Sequence, residues 1–235
     1  MNKPVSYSKN TSLYNKKIAW LNKLRKKVDK ITDALGIPVD EGIKEAVVIF
    51  NAVGLYTSGS CEGHLNHGLP APWIDVKAPN EPKGRYVGEN EIYRKVARKY
   101  NLKVEEVRRG YNIEAWWEAI KEAEKSGETK EYKRWRKENK KLLKKAKKFL
   151  EEFYKKRKVD PDVKLKIDIF GNGSFRIHNG GKYYKLVNDL SRKEKREVKK
   201  MLKKFREEIN AFTEFLKNKY FSTRFKLPKI RKIRL

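Results

Sequence analysis

Two segments, Val163-Lys-Leu-Lys-Ile-Asp-Ile-Phe170 and Ser174-Phe-Arg-Ile-His178, joined by Gly171-Asn-Gly173, decide how this chain is built. Apolar and polar residues alternate on both sides of a turn whose residues tolerate positive φ, so the stretch predicts a β-hairpin. Working outward, residues 130–158 predict one long helix. Trp135, Leu142 and Phe149 recur at seven, and Ala146 and Phe153 supply the offset positions of a heptad seam. Asp160-Pro161 ends it. On the other side, residues 191–220 place Val198, Leu202, Phe205, Ile209, Phe212 and Leu216 at alternating fours and threes. Because these two helices flank one hairpin, they are expected to pair.

Towards the N-terminus, Ile18, Leu21, Leu24, Val28, Ile31 and Leu35 predict a helix over residues 14–35, stopped by Gly36 and Pro38. Asp40 has the chemistry of an N-cap for a second helix running to Val53. Gly54 ends that helix. Leu55–Cys61 and Trp73–Lys77 then read as strands, separated by a loop rich in Gly, His and Pro. Pro79, Pro82 and Gly84 mark an irregular connection, and residues 90–100, 104–109 and 113–125 are helical again. No internal repeat is present. The expected fold is α+β: a small antiparallel sheet made from the strands near 57, 75, 167 and 176, packed with several helices, two of them long and basic. The sequence is read as a single domain, 1–235, with a core at 40–78 and a basic tail at 221–235.

Composition narrows the partners. Of 235 residues, 59 are Lys or Arg and 30 are Asp or Glu, a net charge of +29 that solubility does not require. Twelve Tyr, ten Phe and five Trp mean that a packed core exists despite 38% charged residues. Such a field points to a polyanion, nucleic acid above all, rather than to an anionic membrane. No stretch approaches the ~18 apolar residues of a membrane span, and Met1 to Lys17 lacks a hydrophobic signal core. One cysteine excludes an intrachain disulfide framework. The expected compartment is the cytoplasm. Absent glutamine and abundant Lys and Glu fit a thermophile or an AT-rich genome equally.

Residues 41–90 depart from this pattern, with six acids and four bases. They contain Asn51-Ala-Val-Gly-Leu-Tyr-Thr-Ser-Gly-Ser-Cys-Glu-Gly-His64, then His67 and Pro72-Trp-Ile-Asp-Val76. Thiol, carboxylate and imidazoles crowded among small residues mark a candidate site. Four uses of it compete. Cys61, His64 and His67, with His178 as a fourth ligand, offer the donor types for a transition metal such as zinc. Alternatively Cys61 is a nucleophile activated by His64, or Glu62 and Asp75 act as acid and base. The plainer use is structural: Cys61 is a small buried residue, Thr57, Ser58 and Ser60 satisfy a turn, and Gly59 and Gly63 allow close backbone approach. Glycine and hydroxyl residues with exposed N–H groups can also cradle a phosphate or nucleotide.

Asn51, Gly54, Thr57, Ser60, Cys61, Gly63, His64 and Pro72 resemble a pattern in uncharacterised bacterial and phage proteins. There, a helix ending in Asn-x-x-Gly is followed by a Thr-x-x-Ser-Cys-x-Gly-His strand and turn. The segment is more distantly similar to the wybutosine-synthesising methyltransferase family that modifies tRNA, which continues with Arg where this chain has His64. The resemblance covers residues 40–78. It implies a shared shape and, through the second family, a link to RNA modification.

The cationic body surrounds this centre. Residues 130–158 hold fifteen bases against four acids, and residues 191–235 hold seventeen against five. A solvated amphipathic face explains where the lysines fall but not their excess. In the tail, Lys226, Lys229, Arg231, Lys232 and Arg234 suit an arm laid along a polyanion, with Phe221 and Phe225 as candidates for contact with bases. Val96, Ala97, Tyr100, Leu102 and Val107, with Asn101 between, have helix-turn-helix spacing that would carry Arg108 and Arg109 on its second helix. The expected function is RNA binding through sequence-independent phosphate contacts, beside a small ligand or RNA-modification site. A non-enzymatic structural protein of a ribonucleoprotein or phage nucleic acid, and a DNA-binding helix-turn-helix protein, are the alternatives.

Overall fold

The first apolar stripe forms helix α1, Ser8–Val28, with Trp20, Leu21, Leu24 and Val28 buried. The computed structural model describes residues 8–222. The helix stops seven residues short of the predicted end. Asp33 Oδ1 accepts the N–H groups of Leu35 at 2.8 Å and Ile37 at 2.9 Å, so a local side-chain turn replaces helix. Leu35, predicted on the apolar stripe, is exposed as a result. A single bridge, Thr32 with Pro38, returns the chain.

Glu41–Ile43 form a short 3₁₀ turn, and helix α2, Lys44–Ala52, follows. Residues 46–52 are all buried, as expected of a helix covered on several sides. Asp40 precedes this turn but makes no side-chain cap bond. Its carboxylate has another task, described below.

Strands β1 (Thr57–Cys61), β2 (Trp73–Val76), β3 (Lys166–Ile169) and β4 (Phe175–His178) make one antiparallel sheet in the order β1-β2-β4-β3. The α+β expectation is met, including the hairpin, whose turn closes through the Gly173 N–H to the Phe170 carbonyl at 2.8 Å. Register assigns the faces. Ile74 pairs with Ile177, and Val76 with Phe175; all four are fully buried and belong to the core built on α1 and α2. The alternate rows place Cys61, Trp73 and His178, then Gly59, Asp75 and Arg176, on the opposite face.

The two long helices are α6, Lys130–Tyr154, and α7, Arg192–Ser222. Between β2 and α6 come α3 (Glu89–Lys99), α4 (Val104–Arg108) and α5 (Ile113–Ser126). The α7 start is a capping box: Ser191 N donates to Glu194 Oε2 at 2.8 Å, and Glu194 N donates back to Ser191 Oγ. At its other end the buried Lys17 ammonium donates to the carbonyls of Tyr220 and Phe221, the groups a helix end leaves unsatisfied. The expected pairing of α6 with α7 is present, with the Phe153 ring 5.2 Å from Phe212 and 5.5 Å from Phe215. Among the described residues, no helix is long and apolar enough to cross a membrane.

The chain divides into two compact units, residues 1–79 with 140–235, and residues 80–139. The first contains the sheet, α1, α2 and α7. In the second, Tyr93, Val96, Ala97, Val107, Ala115 and Ala119 form a small core between α3, α4 and α5. Asn101 takes φ +52° at the turn where the sequence places it. Helix α4 has only five residues, and Arg108 is held there by the Asn90 side chain at 2.6 Å and by stacking on Tyr93.

Candidate functional site

The site begins with the end of α2. Asn51 Nδ2 donates to the Val47 carbonyl at 2.8 Å and to Thr57 Oγ1 at 2.7 Å, tying the helix to the first residue of β1. Gly54, at φ +75°, makes the turn between them. Asn51, Gly54 and Thr57 therefore form the scaffold of the motif. At the far end of β1, Gly63 has φ +81°, and a Cβ there would lie 2.7 Å from the Ala71 carbonyl carbon. Only glycine allows the loop to close so tightly.

Beyond this scaffold is a cleft of about 590 Å³, walled by the 31–40 turn on one side and by Thr57–Cys61, His64, His67 and Trp73 on the other. Asp40, Cys61 and His64 meet on its wall. One carboxylate oxygen, the Cys61 sulfur and one His64 nitrogen all lie within 4.8 Å of one another. The Asp40 Oδ2 atom is 3.2 Å from His64 Nε2 and accepts the Glu62 N–H at 3.0 Å. This is why Asp40 does not cap α2.

Arg206 of α7 fixes the loop from behind. Its guanidinium donates to the carbonyls of Glu62 and Gly63 at 3.0 and 2.7 Å and to Glu62 Oε1 at 2.8 Å. The other Glu62 oxygen accepts the Gly42 N–H at 2.8 Å, so one side chain clamps the 62–63 loop to the turn that follows Asp40. The sequence marks neither Asp40 nor Arg206 as a site residue. Asp40 carries an N-cap pattern there, and Arg206 is one arginine among the seventeen bases of residues 191–235.

Of the four residues read as catalytic, Cys61 and His64 come together, while Glu62 and Asp75 are engaged elsewhere. Glu62 belongs to the Arg206 clamp. Asp75 accepts two bonds from Arg176, at 2.6 and 2.8 Å, and that guanidinium lies 3.8 Å from the centre of the Trp73 ring. The Cys61 thiol is pushed above its usual pKa, first by burial and further by the Asp40 carboxylate, against an opposing Gly63 N–H. This is the reverse of the lowering expected beside an imidazole.

Of the four residues read as metal ligands, His67 and His178 lie outside the Asp40–Cys61–His64 group. His67 stacks on His64 with ring centres 4.3 Å apart, and its Nδ1 meets Asn66. His178 occupies the same sheet row as Cys61, but Trp73 stands between them, two strand spacings or about 10 Å away. Its Nδ1 is 3.1 Å from the Asn179 carbonyl, and its ring stacks 3.7 Å from Tyr184. Nε2 lies 2.9 Å from Asp168 Oδ2, an ion-pair distance without hydrogen-bond alignment.

Burial holds the His178 pKa below its ordinary value, although Asn179 and Asp168 oppose the shift. The folded protein thus keeps the ring neutral where the unfolded chain takes up a proton. This contribution is full above pH ~6.5 and is lost as pH falls below it. Thermal unfolding between pH 7 and 5 should accordingly show a shallower acid decline in His178→Gln than in the native protein. An unchanged slope would assign the acid sensitivity to other groups.

Among the nucleic-acid candidates, Phe221 packs on Tyr14 and Tyr220, at 5.2 and 5.3 Å, and so serves the core. Phe225, Lys226, Lys229, Arg231, Lys232 and Arg234 lie outside the described residues. Compared with known proteins, the chain matches no protein-family model, no curated protein and no solved structure.

Proposed function

We propose that the protein is a cytoplasmic RNA-binding protein that grips the phosphate backbone without reading sequence, with the Asp40–Cys61–His64 cleft as an accompanying ligand or RNA-modification site. The observation that carries this reading is how charge is sorted along α7. Between Arg192 and Lys204, Glu194 and Glu197 are both engaged locally. Lys185 and Ser191 hold Glu194, with a carboxyl pKa of about 2, and the Tyr183 hydroxyl donates to Glu197 at 2.6 Å. Arg192, Lys193, Lys195, Arg196, Lys199, Lys200, Lys203 and Lys204 are exposed instead. A cationic strip of this kind is what condensed counterions are exchanged for when a polyanion binds. Lys140, Lys141, Lys144, Lys147 and Lys148 are likewise exposed on α6.

RNA is preferred to DNA for two reasons. The motif resembles a tRNA-modifying family, and the five-residue α4, with Arg108 held by Asn90 and Tyr93, is a poor base-reading helix. Ultraviolet cross-linking to a mixed-sequence RNA, followed by peptide mapping, tests the assignment. Adducts are expected on peptides from 140–148 and 192–204. Adducts confined to 91–110 would instead favour the helix-turn-helix alternative.

A further inference from the structure

We propose that Asp40, Cys61 and His64 form a three-residue site for a divalent transition metal of the zinc class, with the remaining coordination position open to the cleft. The inference rests on the reading of the cleft as a ligand site but not on RNA binding.

Carboxylate, thiolate and imidazole are the donor types zinc takes, and three protein ligands plus an open position are the arrangement of sites that bind and activate a small molecule. The spacing agrees. Zinc bonds of ~2.0 Å to oxygen and nitrogen set a tetrahedral edge of about 3.3 Å. Asp40 Oδ2 and His64 Nε2 are 3.2 Å apart. The sulfur-to-nitrogen edge is about 3.6 Å by the same geometry, so a group already within 4.8 Å closes on a metal by small side-chain rotations.

Other hydrogen bonds hold the segments that carry these ligands. Asp40 is oriented by the Glu62 N–H, and the loop that carries Cys61 and His64 is braced by Arg206 on the Glu62 and Gly63 carbonyls. Asp40 comes from the turn before α2, Cys61 from the end of β1 and His64 from the following loop. Two separate backbone segments therefore converge, and the Glu62 side chain links them through Gly42. The cleft that the group faces, about 590 Å³ with Thr57, Ser58 and Ser60 along one wall, has room for a ligand on the open position.

Proton balance follows from the ligand chemistry. Forming the metal–sulfur bond expels the Cys61 thiol proton to solvent. Neutral His64 coordinates through the Nε2 lone pair with its proton on Nδ1, and Asp40 remains a carboxylate, exchanging its contact with the imidazole for the metal. One proton is released per metal bound.

Cobalt(II) is the probe, titrated into the full chain without nucleic acid. The native protein is expected to bind one equivalent, with a thiolate-to-cobalt charge-transfer band and the intense visible bands of tetrahedral cobalt. Zinc should displace the cobalt, and an indicator should register one proton per metal. Cys61→Ser should abolish the charge-transfer band. His64→Gln and Asp40→Asn should each weaken binding by at least about tenfold, while His178→Gln should leave it within about twofold of native. Metal-free circular dichroism and melting of every variant separate lost ligation from lost fold. If Asp40→Asn does not fold, proton release and the charge-transfer band of the native protein still decide the matter. No saturable cobalt binding at micromolar concentration would overturn the proposal, as would a charge-transfer band that survives Cys61→Ser. Equal losses in His178→Gln would do the same. None of these outcomes bears on RNA affinity, which is measured separately, so the two readings stand or fall independently.

Discussion

Replacing Lys195, Arg196, Lys199, Lys200, Lys203 and Lys204 of α7 together by glutamine is expected to lower RNA affinity by two or more orders of magnitude in moderate salt. The six side chains are exposed, and the only acids in residues 192–204 are engaged by Lys185, Ser191 and Tyr183. Each phosphate contact with a single strand contributes about 0.7 to the slope of log affinity against log salt, so losing six flattens it by about 4. At ~100 mM salt that release carries up to about four orders of magnitude in affinity, and partial engagement of the six leaves about two. Glutamine is nearly as good a helix former as lysine, and surface substitutions of this kind change stability little. Melting should therefore stay close to native. Affinity within about threefold of native, with the fold retained, would remove α7 from the binding surface.

Phe212→Ala is expected to cost about 3–5 kcal/mol in denaturant unfolding, the range for emptying a fully packed aromatic site. Phe212 has no exposed surface. Its ring lies 5.8 Å from Phe50 of α2 and 5.2 Å from Phe153 of α6, and it stacks with Phe215 at 6.1 Å. One side chain on α7 thus joins the buried helix to both heptad helices, and its removal leaves a cavity shared by three elements. A cost below about 1 kcal/mol would mean that the heptad positions do not pack as described.

Phe212 also shows what the sequence makes legible. Its place in the alternating stripe of residues 191–220 identifies it as core, because packing helices leave a period that composition cannot hide. The hairpin at 163–178 is legible for a related reason, since a period of two and a Gly-Asn-Gly turn admit few other structures. The end of α1 is not. Ile31 and Leu35 continue its period, but the chain leaves the helix at Val28 and the Asp33 side chain, bonding to Leu35 and Ile37, holds a turn there instead.

The candidate site was legible in part. Cys61 and His64 lie three positions apart on a strand end and its loop, so proximity follows from connectivity. His178 is the remaining histidine, and of these two it shares a sheet row with Cys61 alone. Sequence gives no sign that Trp73 occupies the position between. Asp40 and Arg206 lie 24 and 142 residues from His64, and their contacts depend on a turn and a helix packing that local patterns do not encode. Asp40 illustrates the difficulty most directly. The same residue type serves as an N-cap or as a hydrogen-bond acceptor for a distant imidazole, and only the tertiary structure selects between them.

The phosphate-contact reading is tested most directly by the affinity of the native protein for a mixed-sequence RNA measured across a salt series. If about six phosphates are neutralised, affinity should fall by roughly three orders of magnitude between 50 and 200 mM salt, on a linear plot of log affinity against log salt. An affinity that hardly changes over that range would contradict it.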